Sequence, residues 1–217
     1  SEILGEVLSE TSFAVLSGPT FAAEVVANLP TAVTLATQNK RLGEKIIAAI
    51  GTSRFRPYLS NDSLGAQIGG ATKNVLAIAC GIVAGRQLGD NARAALIARG
   101  LTEVVRLGVA KGASQRTLMG LSGLGDLTLT CSGSQSRNMS FGYALGNGRR
   151  VEEILAERNS VTEGVFTAAA VRKLSESLGI EMPICAAVDD VINRQKELDE
   201  VIRELLARPF SKESNGI

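Results

Sequence analysis

The chain has 217 residues, with 23 basic and 22 acidic side chains and a hydrophobic fraction of 45%. That length and apolar content can bury a real core, while scattered basic residues without interleaved aromatics exclude the charged stripe of a nucleic-acid-binding protein. None of the residues is histidine, so a proton moved at a reacting centre has to come from Lys, Asp, Glu, Cys or Tyr.

Residues 12–17, 31–37 and 54–59 are short apolar or β-branched runs bounded by turn residues, the pattern of strands. Between the first two, Gly18-Pro19 opens a turn into a short helix that residues 28–30 terminate. Residues 40–50 place Leu42, Ile46 and Ile47 on one helical face. This α/β portion is too small for a complete parallel sheet, so it reads as the closing edge of a domain whose earlier strands precede residue 1.

Beyond it the texture changes to helices at steady intervals. The expected division is an α/β edge over 1–61 and an all-helical unit over 62–217, a mainly α chain. Residues 65–84, rich in Gly and Ala and apolar nearly all round, predict a buried central helix with close neighbours. The next helix starts near Asp90-Asn91, either of which suits its cap, and turns Leu96, Leu101, Val104 and Val105 to the core. Short helices follow at 114–119, 139–145 and 151–158. Ser160-Val161-Thr162-Glu163 has the form of a capping box ahead of a helix over 165–178. Pro183 suits the first turn of a helix through residue 194, residues 198–207 form the last, and the tail from Pro209 reads as loose.

Three widely spaced cysteines fit neither a disulfide framework nor a metal-ligand spacing and point to a reducing compartment. The opening SEILGEVLSE is an acidic amphipathic piece and not a signal peptide. The most apolar run, residues 75–85, is too short to cross a bilayer. A soluble, cytoplasmic protein without membrane insertion is expected.

Residues 120–138, GLSGLGDLTLTCSGSQSRN, crowd glycines, a carboxylate, hydroxyls, an arginine and an amide together, a poor recipe for a core helix or a plain strand. Gly123 and Gly125 bracket the approach to Asp126, which suits either an N-cap or a functional carboxylate. Arg137 and Asn138 pair a forked cation with an amide, as suits a phosphate or carboxylate, although an isolated arginine is more often simply solvated. Lys73 lies in GGATKNVLAIACGIVAG, among small and apolar groups where a lysine needs a partner. A structural salt bridge and a catalytic amine both account for it.

GPTFAAE, GGATKNVLAIACGIVAG, GDNARAALIARGLTEVVRLG, GLSGLGDLTLTCSGSQSRN and VTEG with EMPI further on, in that order and spacing, resemble the bacterial NAD(P)-dependent glycerol-3-phosphate dehydrogenases over nearly the whole chain. The resemblance implies a Rossmann domain joined to an all-helical substrate domain. It also implies interconversion of dihydroxyacetone phosphate and sn-glycerol 3-phosphate with NAD or NADP, towards phospholipid synthesis. It makes Lys73 the proton donor or acceptor at the C2 oxygen and puts Asp126 beside it. Gly18, Thr20 and Thr130 match substrate positions, and Ser136, Arg137 and Asn138 the group that holds the phosphate. Ala22, Arg137, Val161 and Glu163 match cofactor contacts. The helical domain of this family often pairs, which is compatible with a homodimer.

The family's G-x-G-x-x-G turn and a second active-site lysine have no counterpart in these residues. GLSGLG at 120–125 is no substitute, having no strand before it. A C-terminal portion with the cofactor cradle missing, turning over little alone, is the expectation. Two other readings remain in view. One is a non-catalytic helical dimerisation module, and the other is the C-terminal domain of another nicotinamide-dependent hydroxyacid dehydrogenase.

Overall fold

Three short strands form one sheet in the order β1 (Val15–Ser17), β2 (Thr31–Ala36) and β3 (Phe55–Ser60) in a computed structural model that describes residues 6–7, 11–133, 135–157 and 162–209. Strands β2 and β3 run parallel, Thr31 opposite Phe55 and Ala36 opposite Ser60, whereas β1 pairs antiparallel with β2 from Val15 opposite Ala36. A short helix α1 (Ala22–Val26) joins β1 to β2. The β2–β3 crossover is helix α2 (Lys40–Ile50), which starts where the Asn39 side chain accepts the Leu42 N–H at 3.0 Å.

Helix α3 (Ser63–Gly85) is the centre of the helical part, as its all-round apolar surface requires. Asp62 starts it with both carboxylate oxygens engaged: one accepts the Gly65 N–H and the other the Ser114 N–H, each at 2.8 Å. By length and composition α3 could cross a membrane, but two thirds of its most apolar stretch is buried among other helices.

Around it stand α4 (Asp90–Ala110), α5 (Gln115–Leu118), α6 (Asp126–Ser132), α7 (Arg137–Gly146), α8 (Val151–Ala156), α9 (Glu163–Ser177), α10 (Pro183–Ile192) and α11 (Leu198–Leu206). Neither Asp90 nor Asn91 caps α4. Gly89, at φ +91°, takes the position before the helix, and both polar residues lie inside. A positive φ costs glycine little, so the chain turns there and starts the helix at Asp90. Ser160 and Val161 of the capping sequence lie outside the described residues, as does the tail beyond Pro209; α9 itself begins at Glu163.

The closest packing is between α3 and α7. Gly81 and Gly85 of one helix meet Gly142 and Gly146 of the other, and a methyl on Gly81 or Gly142 would overlap the backbone oxygen of Met139 or Ile78. Backbones that close leave no room for any Cβ, which explains why an apolar core helix carries glycines a turn apart.

The stretch 120–138 is more regular than its composition suggests. A π-helical turn (Leu121–Gly125), marked by the Gly125 N–H donating to Gly120 O at 3.0 Å, leads directly into α6. Its glycines permit close contact more than they permit turning. A methyl on Gly123 would overlap Leu118 O, and one on Gly69 of α3 would overlap Ser122 O. The local preference of glycine for loops is overridden by this fit.

Candidate active site

Helix α6 presents Asp126 in its first turn to α3, where Lys73 Nζ lies 2.5 Å from Asp126 Oδ2. The Asp126 side chain is 4% exposed and that of Lys73 is 22% exposed, so the carboxylate is sealed and the amine retains a route outward. Asp126 is no N-cap, since its carboxylate is engaged with Lys73 and not with the amides of its own helix. Beneath it, the Thr130 hydroxyl donates to Asp126 O at 2.6 Å and lies 3.4 Å from Oδ1. Burial pushes the Asp126 carboxyl above the ordinary carboxylate range, opposed by the Lys73 ammonium and the Thr130 hydroxyl.

The pair opens into a cleft of about 310 Å³ between the end of β1 and the first half of α3. Ser17, Gly18 and Thr20 form one wall, Gln67, Gly70 and Lys73 the other, and Asp126 closes one end. Gly18, at φ +154°, has no room for a side chain, because a methyl there would come within 3.0 Å of Val33 Cα. The Thr20 hydroxyl donates to Gly18 O at 3.1 Å and holds this loop. Pro19 reaches over Gly125, and the Phe21 ring lies against Gly133 at the end of α6. The loop after β1 therefore covers the segment that carries Asp126.

A larger, mainly apolar groove of about 630 Å³ lies between α3, α4, α10 and α11. Its one buried charge is Glu103, whose carboxylate is already occupied by the N–H groups of Ile184 and Cys185. Volume alone would favour that groove; the smaller cleft is the one lined by a paired amine and carboxylate, which makes it the candidate site.

Ser136, Arg137 and Asn138 stand apart from the cleft lining, at the start of α7. Ser136 Oγ accepts the Met139 N–H at 3.2 Å, and its own proton remains available for donation. Asn138 is 4% exposed and its Oδ1 accepts the Gly164 N–H at 3.0 Å, which leaves the amide NH₂ as a donor. Arg137 NH2 pairs with Glu163 Oε1 at 2.6 Å, both side chains about half exposed. Ala22 is exposed on α1, and Val161 lies outside the described residues.

The structure thus gathers Gly18, Thr20, Lys73 and Asp126 in one cleft with Thr130 directly behind, and Arg137 with Glu163 in a second group. Sequence reasoning passed over Ser17, Gln67 and Gly70 as cleft residues. Ser17 carried one signal, a hydroxyl immediately before the Gly-Pro turn. The helical spacing from Gly70 to Lys73 was another.

For a dinucleotide these residues form no pyrophosphate cradle. Arg137 and Glu163 are exposed and polar, yet none of the 217 residues forms a G-x-G-x-x-G turn to receive a pyrophosphate.

Residues 62–203 match the family described as NAD-dependent glycerol-3-phosphate dehydrogenase C-terminus, and residues 1–43 its N-terminus. The chain is 55% identical over 214 residues to a glycerol-3-phosphate dehydrogenase (NAD(P)+) of Parvibaculum lavamentivorans, covering 99% of this chain and 64% of the relative. It is 57% identical over 216 residues to that of Rhodospirillum rubrum, covering 100% and 62%. The crystal structure of glycerol-3-phosphate dehydrogenase from Coxiella burnetii superposes with a TM-score of 0.92 at 44% identity, covering 95% of this chain and 64% of the other. The chain spans a little under two thirds of the length of these relatives.

Proposed function

We propose, from the premise that this chain belongs to the NAD-dependent glycerol-3-phosphate dehydrogenase family, that it supplies the substrate side of an enzyme interconverting dihydroxyacetone phosphate and sn-glycerol 3-phosphate. The observation that carries the reading is the Lys73–Asp126 pair facing a small polar cleft. Residues 1–61 form the edge of a dinucleotide domain and residues 62–217 the substrate domain.

Reduction of the ketone develops negative charge on the C2 oxygen. An ammonium at that oxygen stabilises the charge and hands over its proton; in the reverse direction the amine takes the proton back. Lys73 performs both steps, held in place by Asp126, while Thr130 braces the first turn of α6 from behind through its bond to the Asp126 main-chain oxygen. Ser136, Arg137 and Asn138 hold the phosphate with two neutral donors, a guanidinium and the N-terminus of a ten-residue helix. Gly18 and Thr20 close the cleft over the substrate.

When bound, NAD or NADP supplies or accepts the hydride. Ala22, Arg137, Val161 and Glu163 are the residues of this chain that would contact it, and none of its 217 residues supplies a G-x-G-x-x-G cradle for the pyrophosphate.

The test uses the full-length protein. Lys73→Ala is expected to lower kcat by about 10²- to 10⁴-fold, and Arg137→Ala to raise KM for the phosphorylated ketone far more than for its dephosphorylated analogue. Unchanged activity in Lys73→Ala would make the helical region a non-catalytic module. Equal effects of Arg137→Ala on both ketones would point to an unphosphorylated hydroxyacid substrate.

A further inference from the structure

We propose that Ser17 is a specificity-determining residue whose hydroxyl donates a hydrogen bond to the C1 oxygen of the three-carbon substrate, at the end of the cleft away from the phosphate. The inference rests on the reading of the site given above and goes beyond it by assigning the third oxygen of the substrate.

Three observations carry it. The first is availability. Of the hydroxyls at this site, Thr20 donates to Gly18 O and Thr130 to Asp126 O, whereas Ser17 Oγ makes no hydrogen bond among the described residues although Ser17 lines the cleft. A hydroxyl that opens to the cleft and has no partner among the described residues can donate to a ligand oxygen.

The second is proximity. A methyl on Gly70 would lie 3.1 Å from Ser17 Oγ, so this hydroxyl stands directly over α3 where a side chain is missing. The third is order along the helix. Gly70 precedes Lys73 by one turn, a rise of about 4.5 Å. On the other side of Lys73, Asn74 O faces Gly164, whose N–H is held by Asn138 of the phosphate group. Read along α3, the sequence of groups is Ser17, Lys73, then Asn138. A substrate with its C2 oxygen on Lys73 and its phosphate toward Asn138 places the C1 oxygen at Ser17.

The measurement is kcat/KM of the full-length protein, wild type and Ser17→Ala, with dihydroxyacetone phosphate and with hydroxyacetone phosphate, which lacks the C1 oxygen. Ser17→Ala is expected to lower kcat/KM about tenfold for the first ketone and to leave the second almost unchanged, with an unaltered unfolding midpoint. Equal losses on both ketones, or no loss on either, would overturn the Ser17 assignment alone. A wild type that reduces neither ketone would overturn the function proposed for the site, and a glance at the wild-type data separates that case.

Discussion

Asp126 and Glu103 are both 3% exposed, yet one carboxylate faces an ammonium and the other two backbone amides. Glu103 reaches from α4 to accept the N–H groups of Ile184 at 2.7 Å and Cys185 at 3.1 Å. It thereby caps α10, whose own N-cap residue Met182 makes no side-chain cap. Burial outweighs those donors and pushes its carboxyl up to about 7 from an ordinary 4.5. The folded chain then holds the proton more tightly than the unfolded one. Its contribution to stability is fully present below about pH 4.5 and is lost as pH rises through about 7. Urea denaturation should show wild type losing on the order of 3 kcal/mol across that window relative to Glu103→Gln. A difference between the two proteins that stays constant with pH would mean Glu103 is ionised throughout. Burial raises the Asp126 carboxyl as well, but there the group that opposes it is the Lys73 ammonium instead of two backbone amides.

At the scale of elements, the contact between α3 and α7 is the feature most open to a single methyl group. Gly142→Ala would drive a Cβ into Ile78 O, and two packed backbones cannot both yield without disturbing the helix that carries Lys73. A loss of about 1–3 kcal/mol in unfolding free energy is expected, read from urea denaturation; full stability would mean the helices stand further apart. The same contact shows what a sequence conveys. The all-round apolar pattern of residues 65–84 was sufficient to predict a buried central helix, and α2 begins and ends at the expected residues because Asn39 and its apolar face are local signals. Residues 120–138 read as a poor recipe for a core helix or a plain strand, whereas 121–132 are helical, because glycine speaks equally for a turn and for a backbone approached by another backbone. Only the arrival of Leu118 and Gly69 against that segment decides between them.

For the molecule as a whole, the main hydrophobic cluster among the described residues runs from Leu64 to Leu205 and draws no residue from the strands, whose buried Val33, Leu35 and Ala36 lie outside it. The sheet meets the helices mainly where β1 and β2 lie against α3 and the π-helical turn, which is where the cleft forms. The lone apolar-flanked Lys73 and the glycine-bracketed Asp126 were legible in the sequence as unusual charges, but their meeting depends on α3 and α6 packing across a sequence separation of 53. The second wall of the cleft comes from the other part of the chain, so the hydroxyl that Ser17 offers before the Gly-Pro turn acquires a place at the site only through the fold. It follows that the helical part should stand without the sheet while the site should not. Residues 62–217 expressed alone are expected to give a strongly helical circular dichroism spectrum and a single cooperative unfolding transition, since every residue of that core is retained. In the full-length protein, deletion of residues 1–61 should abolish binding of the phosphorylated ketone proposed as substrate, because Ser17, Gly18 and Thr20 are gone and Lys73 and Asp126 are open to water on one side. A non-cooperative transition would show instead that β1 and β2 are needed to hold α3 in its place, and that sheet and helices fold as one unit.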